Sequence, residues 1–217
     1  EQGTTLLFAS HDRAAIQSIC TRAVLLHQGR IIKDDRPEVV MDFYNALISD
    51  RENSQIQQVS DPQGNVQTSS GSREATFGRV FLTDVDDRNL EVVAVGQDVV
   101  LTLEVEVVNN ISELVAGFVI RDRLGIDVFG SNSHHLGQVK HRIAAGTKLL
   151  YRYRFPMNLG EGAYSISVAL HAGYAHVSAN YQWLDRALIF EVMNINKQQY
   201  TGLAWLPTQL TIATASV

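Results

Sequence analysis

The sequence predicts a mainly β protein, an antiparallel β-sandwich preceded by a short α/β segment. Three observations carry this. From Ala75 onward, apolar and polar residues alternate in run after run with turn residues between the runs, the period-two signature of strands with one buried face. Before Asp50, apolar runs flank segments whose apolar residues recur at helical spacing. Between these regions, residues 50–74 are dominated by Gln, Ser, Asn, Asp, Gly and Thr, a composition that predicts a linker largely without fixed structure. The expected organisation is therefore an α/β unit over 1–49, a linker over 50–74 and a sandwich over 75–217.

Thr4 to Ala9 is a short apolar run with β-branched residues, read as a buried strand. Ser10 and Asp12 suit the N-cap of the helix that follows, on which Ala15, Ile16, Ile19 and Cys20 share a face. Arg22 to His27 and Arg30 to Lys33 read as two strands joined by the Gln28-Gly29 turn. Pro37 opens a second helix at its first position, Glu38 complements the helix dipole, and Val39, Val40, Phe43, Tyr44 and Leu47 form its apolar stripe.

In the sandwich region Phe77 to Val85 alternates, and Asp84 to Asn89 is a turn. Val99, Leu101, Leu103, Val105 and Val107 form one strand face, with Thr102, Glu104 and Glu106 opposite. Val115 to Asp122 and Ile126 to Gly130 are joined through Arg123-Leu124-Gly125. Leu149, Tyr151, Tyr153 and Phe155 alternate with Lys148, Arg152 and Arg154. Tyr164, Ile166, Val168 and Leu170 alternate with Ser165, Ser167, Ala169 and His171, and Leu188, Phe190 and Val192 end the series. Gly162-Ala163-Tyr164 at the mouth of a strand looks like the tyrosine corner of immunoglobulin-like sandwiches.

Length and composition bound the function. The 217 residues allow one large or two modest domains, with 45% apolar and 19% charged residues. A net charge of -5 without a Lys/Arg cluster argues against a nucleic-acid partner. The single cysteine, Cys20, excludes an intrachain disulfide, which suits a reducing compartment. No apolar run reaches the roughly 20 residues that span a bilayer, and no signal peptide is visible.

The opening residues resemble a known family. Thr4 to Asp12, with its Ser10-His11-Asp12 end, then a helix, a strand and the Gly29 turn, resemble the last strands of an ABC-transporter ATPase around its switch-histidine loop. The resemblance covers residues 3–48, and it implies that these residues are the C-terminal part of a longer chain. It implies that His11 is the switch histidine, the catalytic residue of the full-length parent, where an imidazole at a strand tip hydrogen-bonds the γ-phosphate. The other reading of Ser10-His11-Asp12 is a capping His-Asp pair at an ordinary helix start. The Cys20-Thr21-Arg22 triplet is similar to the branch that exports cell-surface polysaccharides. No G-x-x-x-x-G-K-[ST] loop or signature motif occurs in the sequence, so these residues alone are not expected to hydrolyse ATP. ATP and Mg are implied for the full-length parent and no cofactor for this part.

ABC ATPases of the lipopolysaccharide O-antigen type carry an immunoglobulin-like domain that recognises the finished glycan. The resemblance extends to it through Gly117 to Asp122, Gly125 to Asn132 and Gly162 to Leu170. The implied function is the C-terminal portion of the ATPase subunit of an O-antigen exporter, whose sandwich binds the terminus of the lipid-linked polysaccharide and confers export specificity. The implied partners are that polysaccharide, a membrane-spanning permease subunit and a second copy of the chain. The implied location is cytoplasmic, peripheral at the inner membrane through the permease. One rival is a dimerisation or regulatory domain that touches no sugar; another is an importer-type ATPase, which would carry a small barrel instead.

Sugar recognition needs planar hydrogen-bonding groups and an aromatic platform on a shallow surface. By strand parity Arg152, Arg154, Ser165, Ser167 and His171 fall on non-core faces of two strands expected to be neighbours. Tyr174, His176, Tyr181 and Trp183 cluster after one strand, and Asn132, His134 and His135 after another. The candidate carbohydrate-binding residues are therefore Asn132, His134, Arg152, Arg154, His171, Tyr174, Tyr181 and Trp183. A solvated sheet face with aromatics packing a loop is the plain alternative for each. No metal ligands are assigned: His134-His135 lacks a third ligand, Asp84, Asp86 and Asp87 read as a solvated turn, and Glu104 and Glu106 as exposed sheet carboxylates. The tail from Asn194 mixes Tyr200, Leu203, Trp205, Leu206 and Pro207 with polar residues, which points to packing on a partner subunit, as an exchanged strand.

Overall fold

The computed structural model describes residues 5–49, 57–60, 66–173 and 179–213. Its N-terminal part holds helix α1 (Arg13–Ile19), the hairpin β1 (Ala23–His27) and β2 (Arg30–Asp35), and helix α2 (Pro37–Ser49). Asp12 caps α1, its carboxylate accepting from the Ala15 amide at 2.8 Å. Gln28 and Gly29 sit at φ 48° and 76°, the left-handed pair that a two-residue hairpin turn requires and that glycine supplies without strain. Thr5 to Ser10 is not a strand, and Leu6 and Leu7 are 70% and 96% exposed. An apolar run becomes a buried strand only beside neighbours that cover it, and none stands beside it among the described residues.

The sandwich has two sheets. The smaller is β11 (Lys148–Pro156), β7 (Asp98–Val107) and β5 (Ala75–Thr83), in that order. The larger runs β10 (Lys140–Ile143), β8 (Ile111–Arg121), β12 (Gly162–Ala172), β13 (Ala179–Met193), β4 (Val66–Ser70), β3 (Gln57–Ser60). Strand β9 (Asp127–Asn132) pairs with β8, and the three-residue β6 (Val92–Ala94) adds to β13 as the parallel pair. Parity places the core as expected. Leu101, Leu103, Val105 and Val107 of β7 face Leu114, Ala116 and Phe118 of β8 and Ile166, Val168 and Leu170 of β12, all nearly or fully buried. Each such aliphatic side chain contributes about 1.5–3 kcal/mol by leaving water. The Tyr164 hydroxyl donates to the Gly160 carbonyl at 2.9 Å, the tyrosine corner expected from Gly162-Ala163-Tyr164.

Three expectations are corrected. The stretch 50–74, read as a linker, contributes β3 and β4 to the large sheet. Pairing is made by backbone groups, so the polar run Gln67-Thr68-Ser69-Ser70 can serve, with Thr68 and Ser70 buried. Second, β11 pairs with β7, not with β12, so Arg152 and Arg154 lie on the other sheet from Ser167 and His171. Third, the tail as far as Trp205 returns to its own sandwich. The Trp205 amide donates to the Asn158 carbonyl at 2.9 Å, and its ring lies 4.6 Å beneath the Lys197 ammonium. Beyond it Leu206, Leu210 and Ile212 are at least 72% exposed. No helix among the described residues is long and apolar enough to cross a membrane.

Candidate functional site

The outer face of the large sheet carries the groove. Residues of one parity on β8, β12 and β13 face the core; those of the other parity, Gly117, Val119 and Arg121, Ser167 and Ala169, and Trp183, face outward and line a cavity of about 480 Å³. Register brings them side by side: Ala169 pairs with Gly117 on one flank and with Trp183 on the other. Gly117 also pairs with Asn132 of β9, and a Cβ at Gly117 would stand 2.8 Å from that of Asn132. Glycine there keeps the floor flat and lets the two strands approach. Trp183 is half-buried, with the Arg121 guanidinium 5.7 Å from its ring centre, a stacking that holds the indole in one orientation. The Asn132 side-chain oxygen accepts from the His135 amide at 2.8 Å, which fixes the turn after β9 at the groove's rim.

Arg121 is 5% exposed and organises the site. Its Nε donates to Asp127 at 2.7 Å, and its Nη1 donates to Asp185 at 2.5 Å and to the Ser167 hydroxyl at 3.2 Å. Ser167 in turn donates to Asp185 and accepts from the Arg186 amide at 3.1 Å. Asp185 is also hydrogen-bonded to Asp42 of α2, which is paired with Arg13 of α1. A ladder of ionisable groups, Arg13, Asp42, Asp185 and Arg121, thus runs from the N-terminal helices into the floor of the groove.

Two carboxyl groups in contact cannot both ionise cheaply in a buried site. Burial, and then the Asp185 charge, push the Asp42 carboxyl up to about 8. Burial is the largest influence on Asp185 and would raise it, but the Arg121 guanidinium, the hydrogen bond with Asp42, the Arg13 charge and the Ser167 hydroxyl together outweigh it and hold that carboxyl below its ordinary value. The pair therefore shares one proton, and it resides on Asp42.

Of the residues expected from sequence, Asn132 and Trp183 meet in this groove. His134 is half-buried in the turn that follows β9, while His135 lines the groove. His171 is fully enclosed at the end of β12, and Tyr181 is a core residue whose hydroxyl donates to the Glu113 carbonyl at 3.1 Å. Neither presents a surface to a ligand: His171 is fully buried although parity turns it away from the core, and Tyr181 packs into the core itself. Arg152 and Arg154 lie on the opposite sheet, paired with Asp87 at 2.5 Å and Asp98 at 3.0 Å, beside a second cleft of about 510 Å³. Tyr174 and His176 fall outside the described residues. His11 is exposed in the turn before α1. Sequence reasoning does not find Arg121, Asp127 or Asp185 as site residues, although Arg121 and Asp127 lie inside two of the three stretches that carry the resemblance.

Comparison with known proteins gives this geometry its context. No curated protein sequence matches the chain. The crystal structure of the C-terminal domain of Wzt is similar with a TM-score of 0.61 and 16% identity, covering 72% of this chain and 93% of that one. A Niemann-Pick type C2 protein from Japanese carpenter ant is more remote, at a TM-score of 0.43 and 9% identity over 57% of this chain and 96% of that one. The family model of the Wzt C-terminal domain matches residues 66–206, which takes in β4, one of the two strands of the supposed linker, every strand from β5 to β13 and the tail through Leu206. That span includes every sheet residue of the groove, and the chain belongs to the Wzt C-terminal domain family.

Proposed function

We propose that the groove on the large sheet binds the terminal sugars of a completed O-antigen polysaccharide, and that residues 1–49 are the end of the nucleotide-binding domain that drives its export. The observation that carries this is the pairing of a rigid indole with fixed polar groups on a glycine-flattened floor: Trp183 held by Arg121, beside Asn132 and over Gly117 and Ala169. An aromatic face covers the C–H side of a sugar ring while amide and guanidinium edges match its hydroxyls. The exposed apolar residues Leu6, Leu7, Val24, Leu26 and Ile31 support the second half of the reading, as a surface suited to packing against the rest of an ATPase domain. In that domain His11 is the switch histidine; the 217 residues hold no phosphate-cradling loop, so ATP and Mg are held elsewhere in the parent chain. The permease subunit would anchor the assembly on the cytoplasmic side of the inner membrane.

The test is titration calorimetry of the chain with O-polysaccharide released from the lipopolysaccharide of the strain that carries it. Saturable binding is expected, and Trp183→Ala weakens it roughly tenfold or more. Polysaccharide that fails to bind, or binds Trp183→Ala as well as the unaltered chain, overturns the assignment.

The second reading, dimerisation, is favoured by Leu206, Leu210 and Ile212, exposed beyond the last docked tail residue. An apolar segment of this kind suits a partner copy of the chain. Truncation after Trp205 converts a dimer to a monomer in light scattering if the tail is the contact. An unchanged mass removes the tail from the interface.

A further inference from the structure

The groove is not built by the sheet alone. Asn45 of α2 lines it together with Arg121 and Trp183. Helix α2 reaches this position because it lies against β4 and β13, with Val39, Val40, Met41 and Asp42 all at most 4% exposed. Asp42 lies one helical turn before Asn45 on the same side of the helix, and through Asp185 it joins the ladder that ends at Arg121. The side chain that anchors α2 and the one that reaches the groove are thus set by a single docking contact.

We infer that the ligand site is composite: α2 supplies one wall, Asn45 hydrogen-bonds the hydroxyls of the bound sugar, and the seating of α2 on the sheet governs affinity. This rests on the reading of the groove as a polysaccharide site. A primary amide offers two donors and an acceptor in one plane, a match for neighbouring hydroxyl groups on a sugar ring. A ligand held between Asn45 and the sheet bridges two elements of different parts of the chain. By linkage, docked α2 strengthens sugar binding, and bound sugar strengthens the docking by the same factor. Occupancy of the groove is thereby felt along α2 toward the His11 end of the chain, with α1 tied in through Arg13 and Asp42.

The test uses the full chain and the same O-polysaccharide. Asn45→Ala is expected to weaken binding about tenfold, the worth of one or two hydrogen bonds, at an unchanged melting temperature. If the unaltered chain binds and Asn45→Ala binds equally well, the composite site is overturned while the groove assignment stands. If the unaltered chain does not bind, the groove assignment itself has failed. Should Asn45→Ala also melt early, hydrogen exchange of the α2 amides in the unaltered chain decides. Protection that rises on adding polysaccharide upholds the composite site, and protection that does not rise overturns it.

Discussion

Arg121→Leu is expected to cost about 3–5 kcal/mol of folding stability, the penalty for removing one partner of a buried ion pair. The reason is what the substitution leaves behind rather than what it deletes. Asp185 has a side chain only 3% exposed, and Arg121 is its nearest cation. Without it the carboxylate keeps the Ser167 hydroxyl, the Asp42 carboxyl and the field of Arg13 beyond it, and must either stay charged in a poor dielectric or take up a proton. Asp127 is different, because its side chain is 64% exposed and water replaces the lost guanidinium. Trp183 also loses the cation that orients it. Arg121→Lys keeps the charge but cannot serve Asp127 and Asp185 at once, so it falls between the two. Denaturant melts measure all three proteins. The double variant Arg121→Leu with Asp185→Leu recovers much of the loss, since an apolar pair leaves no orphaned charge. A single variant that loses less than about 1 kcal/mol would mean the ladder is wet, and the rigid site described above would go with it.

The same residues mark the limit of what could be read from the chain. Strands β7, β11, β12 and β13 were legible because their apolar residues alternate, and alternation is a direct record of one buried face. The tyrosine corner at Tyr164, the Asp12 cap and the Gln28-Gly29 turn were legible because each is a local arrangement whose geometry needs those residue types. Sheet partnership was not, since period two says which way a side chain points and nothing about which strand lies alongside. That is why Arg152 and Arg154 were grouped with β12 although β11 belongs with β7. Strands β3 and β4 were hidden by polar composition, because backbone pairing leaves no hydrophobic trace. The site was legible in part: Trp183 and Asn132 are the aromatic and amide that glycan chemistry asks for. Arg121 and Asp185 were invisible, because a charged residue reads as exposed until its partner is seen. Ser167 faces outward as parity requires, yet it is fully buried, and only tertiary structure reveals what covers an outer face.

The seating of α2 is expected to weaken as pH rises through about 8, because Asp42 is held protonated in the folded chain. An unfolded aspartate titrates near 3.9, at its ordinary value. Between that value and about 8 the folded chain therefore binds a proton that the unfolded chain has released. Stability falls with pH wherever the folded state holds more protons. The contribution is complete below the ordinary aspartate range and is lost as pH climbs through the folded value. Asp185 works in the opposite sense, its lowered carboxyl losing stability only in acid, so it does not offset the loss at neutral and alkaline pH. The groups facing Asp42 give the reason. With Asp42 neutral, Asp185 is balanced by Arg121 while Arg13 hydrogen-bonds the Asp42 carboxyl; ionising Asp42 sets a second negative charge against Asp185, and that repulsion together with burial outweighs the attraction of Arg13. The melting temperature of the chain should fall between roughly pH 5 and pH 8 and level off above that, in step with looser protection of the α2 amides, both tracking Asp42 as it titrates toward about 8. Asp42→Asn carries a neutral amide that can still accept from Arg13 and donate to Asp185, so its curve should be flatter over the same range. A slope identical in the two proteins would show that the titration belongs to some other group, and that the proton shared across the junction is not what seats the helix.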